Sequence, residues 1–208
     1  MHLYESIVPS GNAYKVRLLL SHLGIEYETT FLDILTTPPE TRKPEFLAIN
    51  PNGRIPVLIL DDGTPLAESN AILFYLSEGT KFLSESKLGR AKILQWLFFE
   101  QYSHEPYVAV WKFLTYWGDF SDRSESEVEK LRQRGQEALD VMERHLEGKK
   151  FFVDDAFSIA DIALYAYTSA AEVVGFQVDG NVRAWLKRVE EQDGHVKIRK
   201  DPTGKCPL

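Results

Sequence analysis

The pattern of apolar and polar residues changes once along this chain, near residue 80. Before that point, short apolar runs predict strands, and apolar residues at helical spacing predict the helices between them. The predicted strands are 3–7, 27–32, 57–60 and 64–67. One predicted helix lies between an N-cap at Asn12 and a stop at Gly24, and another covers 69–76. The order βαβ, then ββα, predicts a mixed four-stranded sheet with helices.

Beyond residue 80 the strand signals stop and long helical patterns take over. Helical spacing runs from 87 to about 117, with a bend expected near Pro106 because proline removes a backbone donor. Ser124 and Ser158 each open a further helix with a capping-box pattern, in which an acidic residue follows three positions later. We therefore predict an α/β domain of thioredoxin-like architecture at 1–78, a polar linker at 79–86 and an all-helical domain at 87–208.

Composition excludes several classes of function. A formal charge of −7 and the lack of a basic tract argue against nucleic acid as a partner. No apolar run approaches the roughly 20 residues that span a bilayer, and no secretory signal pattern is present, so we expect a cytoplasmic protein without a membrane partner. A single cysteine, Cys206, forms neither a disulfide nor a zinc cluster. The histidines lack metal-ligand spacing and no glycine-rich phosphate loop occurs, so neither a metal nor a nucleotide is expected.

A proline at the head of an apolar run marks one candidate site. Pro56 precedes the strand at 57–60, and proline is tolerated in a sheet only at a strand start, an edge or a bulge. A cis Ile55–Pro56 bond turns the N–H and C=O of Ile55 outward, toward a ligand. Glu68 and Ser69 then open a helix whose N-terminus attracts a carboxylate. Together these features predict a site for a peptide-like ligand with an α-amino acid head.

The turn Ser10-Gly11-Asn12 is a second candidate anion site, at the start of a helix. In the simpler interpretation, Ser10 or Asn12 only caps that helix. In the other, one of them donates a hydrogen bond to a ligand thiolate. Lowering a thiol pKa from ~8.5 by about two units requires ~2.7 kcal/mol. A hydrogen bond to a charged group contributes roughly 1.5–3 kcal/mol and a helix N-terminus roughly 0.3–1 kcal/mol, so one donor suffices without a general base.

Four motifs together resemble the glutathione transferases, of the bacterial cytosolic type, over nearly the full length of the chain. They are residues 10–17, 50–58, 68–72 and 158–161. The second and third are similar to the cis-proline and γ-glutamyl motifs of the family, and the fourth resembles its helix-capping box, which serves folding. The resemblance implies glutathione as co-substrate, a small hydrophobic electrophile as second substrate, a role in detoxification, and a homodimer.

The resemblance also implies roles for single residues. Glu68 and Ser69 match the positions that hold the γ-glutamyl head of glutathione. Ile55 matches the residue whose backbone pairs with the cysteinyl part, and Arg54 matches a position near the glycine carboxylate. All four are predicted glutathione-binding residues.

The thiol-activating residue is left open between two positions. Asn12 aligns with the serine of theta- and delta-like classes, whereas Ser10 aligns with the threonine of the nu-like class. We keep both as catalytic candidates, with Ser10 slightly ahead because a hydroxyl is the more usual donor to a thiolate. No cysteine lies in this region, which removes the thiol-disulfide chemistry of beta- and omega-like classes.

Aromatic residues are concentrated between 96 and 117. Most of them are expected in the core of a helical bundle, while the remainder line an apolar pocket for the electrophile. Tyr107, Trp111 and Tyr116, spaced by four and five residues, are the candidates for that pocket.

Three functions remain in competition at this level. The first is a transferase that joins the glutathione thiol to an electrophilic carbon. The second is a glutathione-dependent disulfide reductase or peroxidase, which the nu-like turn at Ser10 and Asn12 favours. The third is a non-catalytic binding module with a transferase-like fold, against which the intact glutathione-binding residues argue.

Overall fold

The structure, a computed structural model, describes residues 1–207 and divides into two compact units. The first unit contains residues 1–76 together with the tail from Asp193, and the second unit contains Ser77–Gln192. The first boundary lies close to the predicted one at 78. The tail differs from the prediction, because it belongs to the first unit and not to the helical domain.

The first unit contains a four-stranded sheet and three helices. They are β1 (His2–Ser6), α1 (Gly11–Leu23), β2 (Glu28–Leu32), α2 (Pro44–Ile49), β3 (Val57–Ile59), β4 (Pro65–Ala67) and α3 (Ser69–Ser77). The strand order is β2-β1-β3-β4, with β2 parallel to β1 and the other pairs antiparallel. Leu3 on β1 lies opposite Leu58 on β3, and both side chains are fully buried. The mixed sheet and its thioredoxin-like order confirm the predicted fold.

Helix α1 begins and ends at residues that are typical helix caps. The Ser10 side chain accepts a hydrogen bond from the Ala13 N–H, which satisfies one of the N–H groups that lack a helical partner. Gly24 ends the helix in the left-handed conformation, with φ of 65°. Between them Val16, Leu19 and Leu20 are fully buried, so α1 contributes its apolar face to the core of the first unit.

Helix α2 is an element that the proline pattern conceals. Prolines 38, 39 and 44 predict an irregular exposed segment, yet Pro44 occupies the first turn of α2. Proline is tolerated there because its missing N–H would have no partner in the helix. The short helix buries Phe46, whose ring packs edge-on against Tyr4 at 5.7 Å between centroids.

Contacts distant in sequence attach the tail to the first unit. The Tyr14 hydroxyl donates to the Val196 carbonyl at 2.6 Å. Arg199 lies 3.4 Å from the buried carboxylate of Glu5 and stacks 3.9 Å from the centroid of the Phe31 ring. Burial raises the pKa of Glu5, while nearby arginines act in the opposite direction. The ion pair between Arg199 and Glu5 cannot be predicted from any local sequence pattern.

The second unit is helical. It contains α4 (Lys87–Phe99), α5 (Glu105–Tyr116), α6 (Glu125–His145), α7 (Ile159–Thr168) and α8 (Gly180–Glu190). The predicted bend near Pro106 corresponds to a π-helical turn at Glu100–His104 that joins α4 to α5. The predicted linker packs into this unit, since Phe82 is buried and its carbonyl accepts a hydrogen bond from the Ile159 N–H. Among residues 1–207, no helix has the length and apolar character needed to cross a membrane.

Both predicted capping boxes are present, one exposed and one buried. At α6, Ser124 and Glu127 exchange hydrogen bonds in solvent. At α7, Ser158 and Asp161 form the same arrangement inside the unit, where Asp161 also accepts from the Trp185 indole at 2.9 Å. The buried box therefore joins α7 to α8 as well as capping its own helix.

Candidate active site

The start of α1 brings Ser10 into a capping role. Its hydroxyl oxygen lies 3.3 Å from the Ala13 nitrogen and accepts a hydrogen bond from it. A serine hydroxyl has one proton and two lone pairs, so accepting this bond does not prevent the same hydroxyl from donating. Ser10 is thus the N-cap that the simpler interpretation predicts, and it retains the chemistry of a donor.

Asn12 lies at the centre of a cluster that joins α1 to α3. The Lys15 ammonium donates to Asn12 Oδ1 at 2.8 Å and to Ser69 Oγ at 3.4 Å. The Ser69 hydroxyl donates in turn to Asn12 Oδ1 at 3.2 Å. Lys15 is fully buried and Ser69 nearly so. We refer to Asn12, Lys15 and Ser69 as the amide cluster.

The amide cluster fixes the orientation of the Asn12 side chain. An ammonium group is only a donor, so the atom of Asn12 that faces Lys15 must be the carbonyl oxygen. The amide nitrogen, which carries two N–H donors, therefore lies on the other edge of the planar group. This orientation makes Asn12 a directed hydrogen-bond donor near the N-terminus of α1.

The start of α3 combines strain with an N-terminal anion site. Glu68, directly before the helix, is exposed and has φ of 68°, a conformation that costs a residue with a Cβ atom roughly 1–2 kcal/mol. Its carbonyl accepts a hydrogen bond from the Ile72 N–H and thereby begins α3. Such outliers persist where the surroundings impose them, and they cluster at ligand sites.

The turn before β3 is organised by Asn50. This buried amide donates to the Arg54 carbonyl at 2.7 Å and accepts from the Asn52 N–H at 3.1 Å. Gly53 takes φ of 62° within the turn, where a Cβ atom would lie 2.9 Å from the Thr41 carbonyl oxygen. The exposed Arg54 and the half-buried Ile55 follow, and the Ile55–Pro56 bond is cis, which confirms that prediction.

The three aromatic candidates on α5 do not form one face. Tyr107 and Tyr116 are nine residues apart, which is two and a half turns of a helix, so they project from opposite sides of α5. The Trp111 indole donates to the Val174 carbonyl at 2.9 Å, and its ring lies 5.1 Å from that of Phe120. The three side chains therefore do not share one face of α5, and their place in an electrophile pocket stays a prediction. Trp111 is held in the packing of the second unit.

Two contributors to the site were not identified from the sequence. Lys15 was not singled out, since a lysine within a helix is usually solvated and its partner Ser69 is 54 residues away. Asn50 lies within the motif at 50–58, and the Asn-Pro-Asn-Gly run is itself a turn signal. That run is the sequence feature that indicates Asn50 as a residue that organises the turn.

Comparison with protein-family models identifies both units. Residues 9–78 match the model described as glutathione S-transferase, N-terminal domain, and residues 90–193 match the model described as glutathione S-transferase, C-terminal domain. The first match ends two residues beyond the observed boundary at Leu76, and the second covers most of the helical unit.

Known structures and curated proteins show the same relationship. A glutathione S-transferase from Pseudomonas fluorescens Pf-5 is 46% identical, with a TM-score of 0.89 over 94% of this chain and 97% of that one. The structure of Ure2p in complex with glutathione is 26% identical, with a TM-score of 0.81 over 93% of this chain and 90% of that one. The disulfide-bond oxidoreductase YfcG of Escherichia coli is 28% identical, covering 88% of each chain. Among curated yeast Ure2 proteins, the chain spans 26–64% of the relative's length.

Proposed function

The chain belongs to the glutathione S-transferase family, and we propose that it is a transferase that joins glutathione to a small hydrophobic electrophile. The observation that carries the proposal is the Ser69–Asn12 hydrogen bond at 3.2 Å. It holds the starts of α3 and α1 side by side, and each helix start favours an anion. Glutathione carries two groups that are anionic when it reacts, the γ-glutamyl carboxylate and the thiolate, and each helix start is proposed to hold one of them.

The thiol is proposed to ionise at the start of α1. Asn12 and Ser10 supply side-chain donors, and the helix dipole adds to them. Asn12 becomes the stronger candidate because the amide cluster orients its N–H donors, while Ser10 keeps its capacity to donate alongside the capping bond that it accepts. The proton released goes to solvent. The thiolate sulfur then attacks the electrophilic carbon, a C–S bond forms, and the leaving group departs with its electron pair.

The remainder of glutathione is proposed to follow the first unit from α3 to the Asn50 turn. Glu68 pairs with the α-amino group of the γ-glutamyl head, and Ser69 with its carboxylate. The Ile55 backbone pairs with the cysteinyl part, and Arg54 lies toward the glycine carboxylate. The opposite charges of Glu68 and Arg54 suit the two ends of the tripeptide.

For the electrophile, Tyr107 and Tyr116 remain proposed pocket residues on different sides of α5. Both are half-buried aromatic side chains with a polar hydroxyl. Trp111 is a weaker candidate because its indole is bonded to Val174. An effect on the KM for the electrophile alone, without a change in the Kd for glutathione, would assign either tyrosine to the pocket.

A disulfide reductase is the second candidate function. It is favoured by the similarity to YfcG, whose name states a disulfide-bond oxidoreductase, and to a Phanerochaete chrysosporium protein solved with oxidised glutathione. In this reaction the glutathione thiolate attacks a disulfide, forms a mixed disulfide and releases a thiolate. The thiolate of a second glutathione then attacks the glutathione sulfur of the mixed disulfide, which forms oxidised glutathione and releases the second thiolate of the substrate.

We also propose a homodimer, as the family resemblance implies. Leu88, Phe98 and Tyr102 on α4 and the following π-helical turn are 65%, 69% and 84% exposed. Large apolar side chains exposed along one element are typical of an interface. Light scattering should give twice the monomer mass of 23.8 kDa. A mass of one chain at micromolar concentration would refute the dimer.

The deciding experiment compares two reactions on the same enzyme preparation. We expect glutathione to bind by calorimetry and conjugation of an activated aryl halide to rise with pH through an apparent pKa well below ~8.5. Activity with hydroxyethyl disulfide at a higher kcat/KM than with the halide would favour the reductase. Glutathione binding without either activity would leave a binding module, and the absence of glutathione binding would overturn the proposal.

A further inference from the structure

The buried lysine of α1 contacts two residues of the proposed glutathione site. Lys15 is fully buried, and 0% of its surface is accessible to solvent. Desolvating an ammonium group is costly unless hydrogen bonds compensate it. Two of its bonds go to Asn12 and Ser69, the residues proposed to contact the thiol and the γ-glutamyl carboxylate.

The hydrogen bonds of the amide cluster must change when the γ-glutamyl carboxylate binds to Ser69. The Ser69 hydroxyl has one proton, and it is donated to Asn12 Oδ1. If that proton turns toward a carboxylate, Asn12 Oδ1 loses this donor. Lys15 has three N–H donors, so its bond to Asn12 at 2.8 Å need not change.

We infer that Lys15 is a positioning residue, which holds the Asn12 amide with its nitrogen toward the thiol after Ser69 has turned to the γ-glutamyl carboxylate. The inference rests on the proposed function and deepens it. Lys15 touches neither the sulfur nor the electrophile. It acts through Asn12, because a planar amide held by its oxygen cannot rotate its N–H donors away from the helix start.

Substitutions of Ser69 and Lys15, the two residues that donate to Asn12, should have different effects on glutathione binding and on the thiol pKa. Loss of the Ser69 hydroxyl removes a ligand contact but leaves Asn12 held by Lys15. Loss of the ammonium leaves the ligand contact but frees the amide to rotate in the complex. Ser69→Ala should therefore change mainly the Kd for glutathione, and Lys15→Met mainly the pKa of the bound thiol.

The test measures the thiol pKa in the glutathione complex from the ultraviolet absorbance of the thiolate. We expect Lys15→Met to raise this pKa by about one pH unit and to lower the conjugation rate near about pH 6.5 by roughly tenfold. Ser69→Ala should weaken binding while leaving the pKa within a few tenths of wild type. In an Asn12→Ala background, Lys15→Met should add nothing to the pKa, since a double-mutant cycle isolates action through Asn12.

Several results would overturn the inference. One is a folded Lys15→Met protein that binds glutathione with an unchanged thiol pKa, and another is a shift that persists in the Asn12→Ala background. Thermal unfolding of each variant checks folding, and Lys15→Leu, which also lacks a donor, replaces the methionine variant if that one does not fold. Failure of both to fold would assign Lys15 to the core and reject a positioning role. Failure of the proposed function is recognised separately, in the wild-type protein, as absent glutathione binding or a bound thiol pKa near ~8.5.

Discussion

The two units each place a polar side chain at the start of a helix and employ it differently. In the second unit, the carboxylate of Asp161 is fully buried, and both of its oxygens accept hydrogen bonds from Phe152, Ser158 and Trp185. In the first unit, hydrogen bonds from Lys15 and Ser69 hold Asn12 by its amide oxygen. In Asp161 both carboxylate oxygens are used by donors within the protein, which suits a role in folding. In Asn12 the donors within the protein use the amide oxygen, and this directs the N–H groups away from them, as donation to a ligand requires.

Disrupting the buried capping box at the start of α7 should change the stability of the protein more than any other substitution proposed here. Asp161→Asn replaces one carboxylate oxygen by an NH2 group, so two of the four donors that face it lose their acceptor. Each buried donor without a partner costs about 1–3 kcal/mol. We expect the free energy of unfolding to fall by about 2–6 kcal/mol in urea titrations.

The chain offers a matched control for this change. Glu127→Gln alters the same motif at the start of α6, where Ser124 and Glu127 are exposed to solvent. The loss of stability should be much smaller there, because water replaces the missing bond. Equal losses in the two variants would show that burial does not distinguish the boxes. A changed Kd for glutathione in folded Asp161→Asn would show that the box is not purely structural.

The two boxes should also respond to pH with opposite signs. Burial raises the pKa of Asp161 to about 6, against the hydrogen bonds from Trp185, Phe152 and Ser158. The folded protein then holds this proton more tightly than the unfolded chain. The contribution of Asp161 to stability is therefore complete below about pH 4 and is lost as pH rises to about 6, roughly 3 kcal/mol in all. The hydrogen bond from Ser124 lowers the pKa of Glu127, so its contribution is lost as pH falls.

The measurement is the difference in unfolding free energy between wild type and each variant across the acidic range. The difference for Asp161→Asn should shrink as pH rises, and the difference for Glu127→Gln should shrink as pH falls. Other titrating groups are common to both proteins and cancel. A difference for Asp161→Asn that stays constant between about pH 4 and 6 would contradict a raised pKa.

The sequence predicted the features that depend on neighbouring residues. The four strands, the stop of α1 and both capping boxes follow from patterns a few residues long, whereas the sequence leaves the cap of α1 between Ser10 and Asn12, and the structure shows Ser10. Helix α2 is not predicted from the sequence, because three prolines close together indicate an irregular segment, although one of them, Pro44, begins the helix.

The features that depend on distant residues could not be predicted. The tail is held by Arg199 on Glu5, 194 residues away, and nothing around Arg199 indicates that partner. Lys15 and Ser69 are 54 residues apart. Their contact follows from the sheet order, which brings the starts of α1 and α3 together. Motifs therefore nominate the candidate site residues, whereas the hydrogen bonds that orient them depend on contacts that no motif predicts.

A pair of variants at Glu68 should separate ligand binding from backbone strain. Glu68→Ala and Glu68→Gly both remove the carboxylate, so each should weaken glutathione binding by about 10- to 150-fold, as expected for a lost charge-assisted bond. Only glycine adopts the observed φ of 68° without a Cβ penalty. The glycine variant should therefore be more stable than the alanine variant by about 1 kcal/mol. Calorimetry and urea titration give the two quantities independently, and unchanged glutathione affinity in both variants would remove Glu68 from the proposed site.

The smallest effect concerns Ser10 and decides whether it is a cap, a donor or both. Ser10→Ala removes the acceptor of the Ala13 N–H and should cost about 1 kcal/mol of stability, whereas Ser10→Gly should cost only a few tenths. Both variants lack the hydroxyl proton. If Ser10 only caps α1, the pKa of the bound thiol should be that of wild type in both, with Asn12→Ala alone raising it. If Ser10 also donates to the thiolate, alanine and glycine should raise the thiol pKa equally despite their different stabilities. That result would make Ser10 the main hydrogen-bond donor to the thiolate and Asn12 a second donor.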